Sequence, residues 1–199
     1  MEFTFKRTTG IVAAMVLIAA VTQAVYTGLS MAQMDVPRQL LWGGEALLFT
    51  LLAAFAGSAL AQAPRLHLVF SAITAAAVLN VVQVGVGLTM FAPFGEAAGE
   101  VEALKPAAGA VVAYSFMVYN AAKVLLALAL IVVGLDKLGS GAKAPGGLSA
   151  LVGVIALVSN TLSMALGRDF IDLPIAGGSG VVATVLLAVC LFTLSDEGR

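Results

Sequence analysis

The stretch GAVVAYSFMVYNAAKVLLALALIVV, from Gly109 to Val133, decides the fold class of this chain. It is longer than the roughly 20 helical residues that cross a bilayer, and Lys123 is its only charged residue. Such a run predicts a transmembrane helix. Because a charge near the middle of a bilayer is costly unless it is paired or reached by water, Lys123 is a candidate functional residue.

The composition of the whole chain is that of an integral membrane protein. Hydrophobic residues make up 61% of the 199 residues and charged residues 11%, whereas soluble domains carry about 25% charged residues. Six stretches are long and apolar enough to span a bilayer: 9–32, 39–61, 67–93, 108–134, 147–167 and 174–194. We therefore predict an all-α bundle of six transmembrane helices with short loops, forming a single transmembrane domain over residues 1–199.

The basic residues between these stretches predict the orientation in the membrane. Most of them fall on the side of the two termini: Lys6, Arg7, Arg65, Lys137, Lys143 and Arg199. The opposite side carries Arg38, Lys105 and Arg168, together with an acidic segment, 94–106, that is expected to be an external loop. The excess of positive charge predicts that both termini are cytoplasmic. We expect a multi-pass protein of the inner (plasma) membrane of a bacterial cell.

Several functional classes find no support in the composition. The net charge of −1 and the scattered basic residues predict no nucleic-acid partner. Cys190 is the only cysteine and His67 the only histidine, which excludes an intramolecular disulfide and a cysteine or histidine metal cluster within one protomer. We expect no metal and no cofactor. A membrane enzyme could use Glu45, Lys123 and Tyr119, but no catalytic motif accompanies them, so the sequence favours a non-catalytic protein.

Polar residues inside the predicted spans concentrate between the bilayer centre and its outer side. Several of them are three residues apart and therefore share a helix face, as in Asn120 and Lys123. The inner half of the spans is almost purely apolar. This pattern predicts an externally open polar cavity above an apolar plug. The predicted ligand-binding residues are Glu45, Asn80, Gln83, Tyr119, Asn120, Lys123 and Asn160, with Gln23 and Tyr26 at similar depth.

Glu45 and Lys123 carry the opposite charges of this layer. We hypothesise that they form an intramembrane pair, because a buried pair is tolerated where either charge alone is not. Tyr119 would lie one turn from Lys123, and the amides of Asn80, Asn120 and Asn160 would complete the hydrogen bonds. Two alternatives remain at this stage: the carboxylate could lie in the headgroup region, and the lysine could extend its stem towards an interface.

Two other features are interpreted structurally. The fifth span carries an unbroken stripe of small or polar residues that predicts close helix packing: Ser149, Gly153, Ala156, Asn160, Ser163 and Gly167. Trp42, followed by Gly43 and Gly44, is interpreted as an interfacial anchor at a close-packed corner.

Two functional hypotheses follow. In the first, the protein binds or translocates a small molecule or ion through the polar cavity. In the second, it is a non-catalytic structural or accessory subunit of a membrane complex, and its polar residues are locks between helices. Small-residue helix faces also suggest a homo-oligomer or a larger membrane complex within the lipid bilayer. Access of water to the polar layer distinguishes the two hypotheses.

Overall fold

A computed structural model describes residues 3–34, 37–167, 170–171 and 173–194, without the side chains of residues 173–174. Arg168 and Arg199, which enter the orientation argument, lie outside these ranges. The regular elements are helical: α1 (Phe5–Met31), α2 (Arg38–Gln62), α3 (His67–Glu100), α4 (Lys105–Gly139), α5 (Lys143–Leu166) and α6 (Leu173–Phe192). Over the described ranges, six helices are long and apolar enough to cross a membrane. The predicted six-helix, all-α architecture is confirmed.

The connection between α3 and α4 is shorter than predicted. The third span was predicted to end at Pro93, but α3 contains this proline and continues to Glu100, so most of the expected 94–106 loop is helical. Pro93 removes one backbone donor, and the helix continues past it to Glu100, with Ala98 packed against the bundle. With 34 residues, α3 is about 51 Å long and exceeds the roughly 30 Å hydrocarbon core.

Five of the helices form a closed ring. Helix α1 packs against α2 and α6, α3 packs between α2 and α4, and α4 packs against α6, which closes the ring. Helix α5 lies outside it, against α4 and α6. Because consecutive helices run in opposite directions, the connections after α1, α3 and α5 lie at one end of the bundle, and those after α2 and α4 at the other.

Small residues hold α5 against α4. A Cβ atom at Gly146 would lie 2.7 Å from the carbonyl oxygen of Gly134, and one at Gly153 would lie 3.1 Å from that of Ala127. The predicted stripe on α5 is buried from Ser149 to Ser163, which confirms it as a packing face. Its last member, Gly167, lies beyond the helix and has a φ of +99°, a conformation that glycine adopts at little cost.

The half of the ring that contains the chain start and the α2–α3 connection is filled mainly by apolar side chains, with Thr8 and Thr9 of α1 also buried there. Its fully buried members come from all five ring helices: Val12, Phe49, Val69, Phe70, Ile73, Leu130, Val133, Leu187 and Leu191. This packing matches the predicted apolar half of the bundle. We call this end of the molecule the closed end.

Candidate functional site

A cavity of about 180 Å³ occupies the other half of the ring. Its walls come from the C-terminal part of α1, the middle and C-terminal part of α3, and the N-terminal parts of α2, α4 and α6: Gln23, Tyr26, Thr27, Ser30, Trp42, Glu45, Gln83, Phe91, Ser115, Phe116, Tyr119 and Gly177. These parts of the helices lie towards the connections after α1, α3 and α5. We call this end of the molecule the cavity end.

Glu45 is the one acidic or basic residue among the described residues that line this cavity. It lies on the first turns of α2 and is only 5% exposed, so its carboxylate is inside the bundle. The Thr22 hydroxyl of α1 donates a hydrogen bond of 2.6 Å to Glu45 Oε1. Glu45 also borders a groove on the outer surface between α1 and α2, which is otherwise lined mainly by aliphatic side chains. The carboxylate therefore lies between the cavity and the lipid-facing surface.

Aromatic rings form one wall of the cavity. The Trp42 ring lies 5.4 Å from that of Tyr26 and 5.7 Å, edge-on, from that of Phe91. It packs over Gly87, where a Cβ atom would come within 2.8 Å of the indole. The interpretation of Trp42 as an interfacial anchor is wrong, because the space left by Gly87 lets the indole enter the bundle. Gly43 and Gly44 have open space around them and make no close-packed corner.

Helices α3 and α4 also contribute polar groups to the cavity wall. Gln83 Nε2 donates a hydrogen bond of 3.4 Å to the buried Ser115 hydroxyl. Gln83 and Tyr119 are half-buried, and Ser30 on α1 is exposed at the rim. Exposure therefore falls from the rim towards Gln23, Glu45 and Ser115.

Lys123 lies beneath this cavity and is 1% exposed. Its ammonium donates hydrogen bonds to Gln23 Oε1 and, over 3.2 Å, to Thr184 Oγ1. The charge is 5.3 Å from the centre of the Tyr119 ring, a distance at which the ring face attracts a cation. The stem packs on Gly180 of α6, where a Cβ atom would lie 3.1 Å from Lys123 Cδ. The lysine joins α4, α1 and α6.

The hypothesised Glu45–Lys123 pair does not form a direct ion pair in the described structure. Glu45 is bonded by Thr22, and Lys123 is bonded to Gln23 and Thr184. The reason is the order of the helices: α2 packs between α1 and α3, whereas α4 packs against α3, α5 and α6. The neutral amide of Gln23 takes the place expected for the carboxylate.

The three asparagines do not complete that pair either. Asn80 donates to the Ala76 carbonyl oxygen on its own helix, over 2.9 Å. Asn160 donates to the carbonyl oxygens of Ala156, over 2.7 Å, and of Ala176 on α6, over 3.4 Å, so it links two helices. Asn120 is buried on α4 and does not line the main cavity.

A second, smaller cavity lies deeper in the ring. Asn80, Gln23 and Thr184 line it together with apolar residues such as Phe49 and Leu126. Its volume of about 10 Å³ is close to what one water molecule needs. Gln23 borders both cavities and thus separates the larger one from the apolar closed end.

The predicted site residues therefore fall into two groups. Glu45, Gln83 and Tyr119 line the main cavity, while Asn80, Asn120, Lys123 and Asn160 lie in the packed layer around or beneath it. Ser115 and Thr184 were not among the residues predicted from the sequence. The Thr184 hydroxyl also donates to the Gly180 carbonyl oxygen on its own helix, a local bond that is common for threonine in helices. In the sequence, the indication for Thr184 was its place four residues after Gly180, since residues at this spacing lie on the same helix face.

Among the described residues, no three histidine, cysteine, aspartate or glutamate side chains lie close enough to hold a metal ion together. The arrangement offers a carboxylate, amides, hydroxyls and aromatic faces to a small molecule. The sequence matches no known family model, and comparison with curated proteins and with solved structures finds no match.

Proposed function

We propose that this protein binds or translocates a small molecule or ion through a polar cavity that opens towards the outside of the cell from mid-membrane. The observation that carries the proposal is the 180 Å³ cavity itself, with Glu45, Gln83 and Tyr119 in its walls. Ligand sites are typically concave, mostly apolar, and equipped with a few convergent polar groups. A buried carboxylate in a membrane span is costly and marks such a site.

The orientation rests on the positions of the basic residues. Lys6, Arg7, Arg65, Lys137 and Lys143 lie at the closed end, at helix starts or ends next to the connections there. Arg38 and Lys105 lie at the cavity end. The positive-inside rule thus favours a cytoplasmic closed end and an external cavity end.

The competing hypothesis, an accessory subunit with polar locks, accounts for a different part of the molecule. Lys123 bonds to Gln23 and Thr184, and Asn160 bonds to α6, so these contacts hold helices together. Of these four residues, Gln23 alone also lines the main cavity. Hydrogen bonds between helices do not by themselves explain a cavity with an acidic residue in its wall. We therefore assign the locks to the frame of the bundle and the cavity to ligand binding.

Cysteine accessibility tests the proposal. Cys190 is replaced by alanine, and single cysteines are placed at Gln83 in the cavity wall and at Asn160 in the packed layer. Intact cells are then treated with a membrane-impermeant thiol reagent. We expect the Gln83→Cys variant to react and the Asn160→Cys variant to be protected, because only the first position faces the cavity.

The remaining outcomes separate the alternatives. Protection at both positions, with normal expression and melting, would mean a dry polar layer and would favour the accessory role. Reaction at Gln83→Cys only after the cells are permeabilised would keep the cavity but reverse the orientation. An Ala129→Cys variant in the packed interior, a smaller change than Asn160→Cys, serves as the second protected control.

A further inference from the structure

We infer that the ligand of the main cavity is a small organic cation, an ammonium group with apolar substituents. This inference rests on the proposed ligand-binding function and names the chemical class that the walls recognise. It follows from the acidic side chain that faces the cavity, the aromatic rings that line the same cavity and the volume.

The one acidic or basic side chain that faces the main cavity, among the described residues, is acidic. Lys123 has its ammonium engaged by Gln23, Thr184 and the Tyr119 ring, and it does not line the main cavity. Glu45 does line it, and the Thr22 hydroxyl is the one hydrogen-bond donor that reaches its carboxylate from the described residues. An ionised carboxylate offers about four acceptor positions. A cationic ligand would occupy the acceptor positions of Glu45 that Thr22 leaves free.

The rings provide the second part of the recognition. Five of the lining residues are aromatic: Tyr26, Trp42, Phe91, Phe116 and Tyr119. Aromatic faces attract cations, most strongly those of tryptophan, and are the usual receptors for ammonium groups that carry alkyl substituents. The apolar substituents of such a ligand would also pack against these rings. An inorganic anion would gain neither contact.

The volume limits the size of the ligand. A cavity of about 150 Å³ holds a benzene molecule, so a 180 Å³ cavity suits a ligand of similar or slightly larger size. A compact metal cation is a poorer match. Ca²⁺ requires about six to eight oxygen ligands, and the cavity walls contain a single carboxylate among the described residues.

The test compares two thiol reagents of opposite charge. Ser115, which is buried and lines the cavity, is replaced by cysteine in the Cys190→Ala background. Its reaction rates with a trimethylammonium-ethyl and with a sulfonatoethyl methanethiosulfonate are measured in reconstituted protein. The exposed Met34, in the α1–α2 connection, is replaced by cysteine as the reference for the intrinsic difference between the reagents.

We expect the cationic-to-anionic rate ratio at Ser115→Cys to exceed that at Met34→Cys by about tenfold, the effect of one nearby charge in a partly wetted site. Adding Glu45→Gln should bring the two ratios together. The first comparison leaves Glu45 intact, so it stands even if the Glu45→Gln variant does not fold.

Each other result has a distinct meaning. A ratio at Ser115→Cys equal to or below the reference would overturn the cationic class while leaving a wet, ligand-accessible cavity. A raised ratio that Glu45→Gln leaves unchanged would overturn the role of the carboxylate. Failure of both reagents to reach Ser115→Cys, with a reactive Met34→Cys, would instead contradict the proposed function itself.

Discussion

Lys123 shows how a single buried charge is accommodated in a membrane-spanning bundle. It lies near the middle of α4, too far from either helix end for its stem to bring the ammonium to an interface. The structure satisfies it with neutral acceptors, Gln23 and Thr184, and with the face of Tyr119. Each of these partners comes from the ring, so the lysine ties α1, α4 and α6 together and supports the floor of the cavity.

Gln23 and Lys123 provide the residue-scale prediction. Gln23→Leu leaves a buried ammonium without its main acceptor and should lower the free energy of unfolding by about 1.5–3 kcal/mol. Lys123→Met leaves only neutral groups unpaired and should cost less. The double variant should be more stable than Gln23→Leu alone, because the unpaired charge is gone. Thermal or denaturant unfolding in detergent would measure the free energy of unfolding of the wild type, the two single variants and the double variant. Strict additivity of the two changes would show that the hydrogen bond contributes nothing.

The sequence predicted part of this residue-scale picture. Depth along the spans placed Glu45, Gln83 and Tyr119 in the layer that surrounds the cavity, because helix rise converts residue number into depth. It did not predict the partner of Lys123. Depth is one coordinate, and the choice between Glu45 and Gln23 depends on which helices are neighbours, a property that no local pattern in this chain specifies.

At the scale of elements, α4 and α5 pack so closely that the glycines at their contact leave no room for a side chain. A Cβ atom at Gly134 would lie 2.7 Å from the backbone nitrogen of Ala150, and one at Gly146 would lie equally close to the nitrogen of Leu138. Backbone atoms cannot move aside as side chains do. The small-residue stripe, read from the sequence, included Gly153 of this contact because its spacing follows the helix period, but it began at Ser149 and missed Gly146.

Neighbouring glycines on α5 test this contact. Gly146→Ala should destabilise the protein by about 1–3 kcal/mol, because the added methyl group would overlap backbone of α4. Gly147→Ala is the matched control, since a Cβ atom there meets only Leu138 Cδ2 at 3.9 Å. It should be neutral or slightly stabilising, as alanine favours helices over glycine. Equal melting temperatures for the two variants would argue against the close α4–α5 approach.

The ends of elements were harder to predict than their existence. Long apolar runs identified all six helices, because a backbone in lipid must satisfy its polar groups internally. The extension of α3 past Pro93 was missed, since polar residues beyond a proline resemble a loop in sequence. The helix continues there because Ala98 packs and only one donor is lost.

For the whole molecule, the main feature is the division of the ring into a cavity end and a closed end. The division follows the distribution of side chains: polar groups and aromatic rings at one end, and packed aliphatic and phenylalanine side chains such as Phe70 and Leu187 at the other. Gln23 lies at the boundary. In this conformation the packed side chains of the closed end separate the cavity from the opposite end of the bundle. Under the proposed function, this arrangement fits a receptor or one state of a transporter better than an open channel.

A cysteine in the closed end tests that division. Ala56 on α2 is fully buried in the closed half, and replacing it by cysteine adds a single sulfur atom. We expect Ala56→Cys, in the Cys190→Ala background, to resist polar thiol reagents from both sides of the membrane. Reaction from the side of the membrane at the closed end, without added ligand, would indicate a continuous water path and hence a channel.

The most direct test of the central claim, that the cavity contains water and admits small molecules, uses the unmodified chain. Trp42 is its only tryptophan, and it lines the cavity at 6% exposure. We would measure collisional quenching of its fluorescence by acrylamide, a neutral molecule small enough to enter. A Gly177→Leu variant, which fills the cavity from α6, provides the control.

The account predicts efficient quenching of Trp42 in the wild-type protein and clearly weaker quenching in Gly177→Leu. Quenching as weak as that of a fully buried tryptophan, and unchanged by Gly177→Leu, would show that the polar layer is dry and would contradict the account.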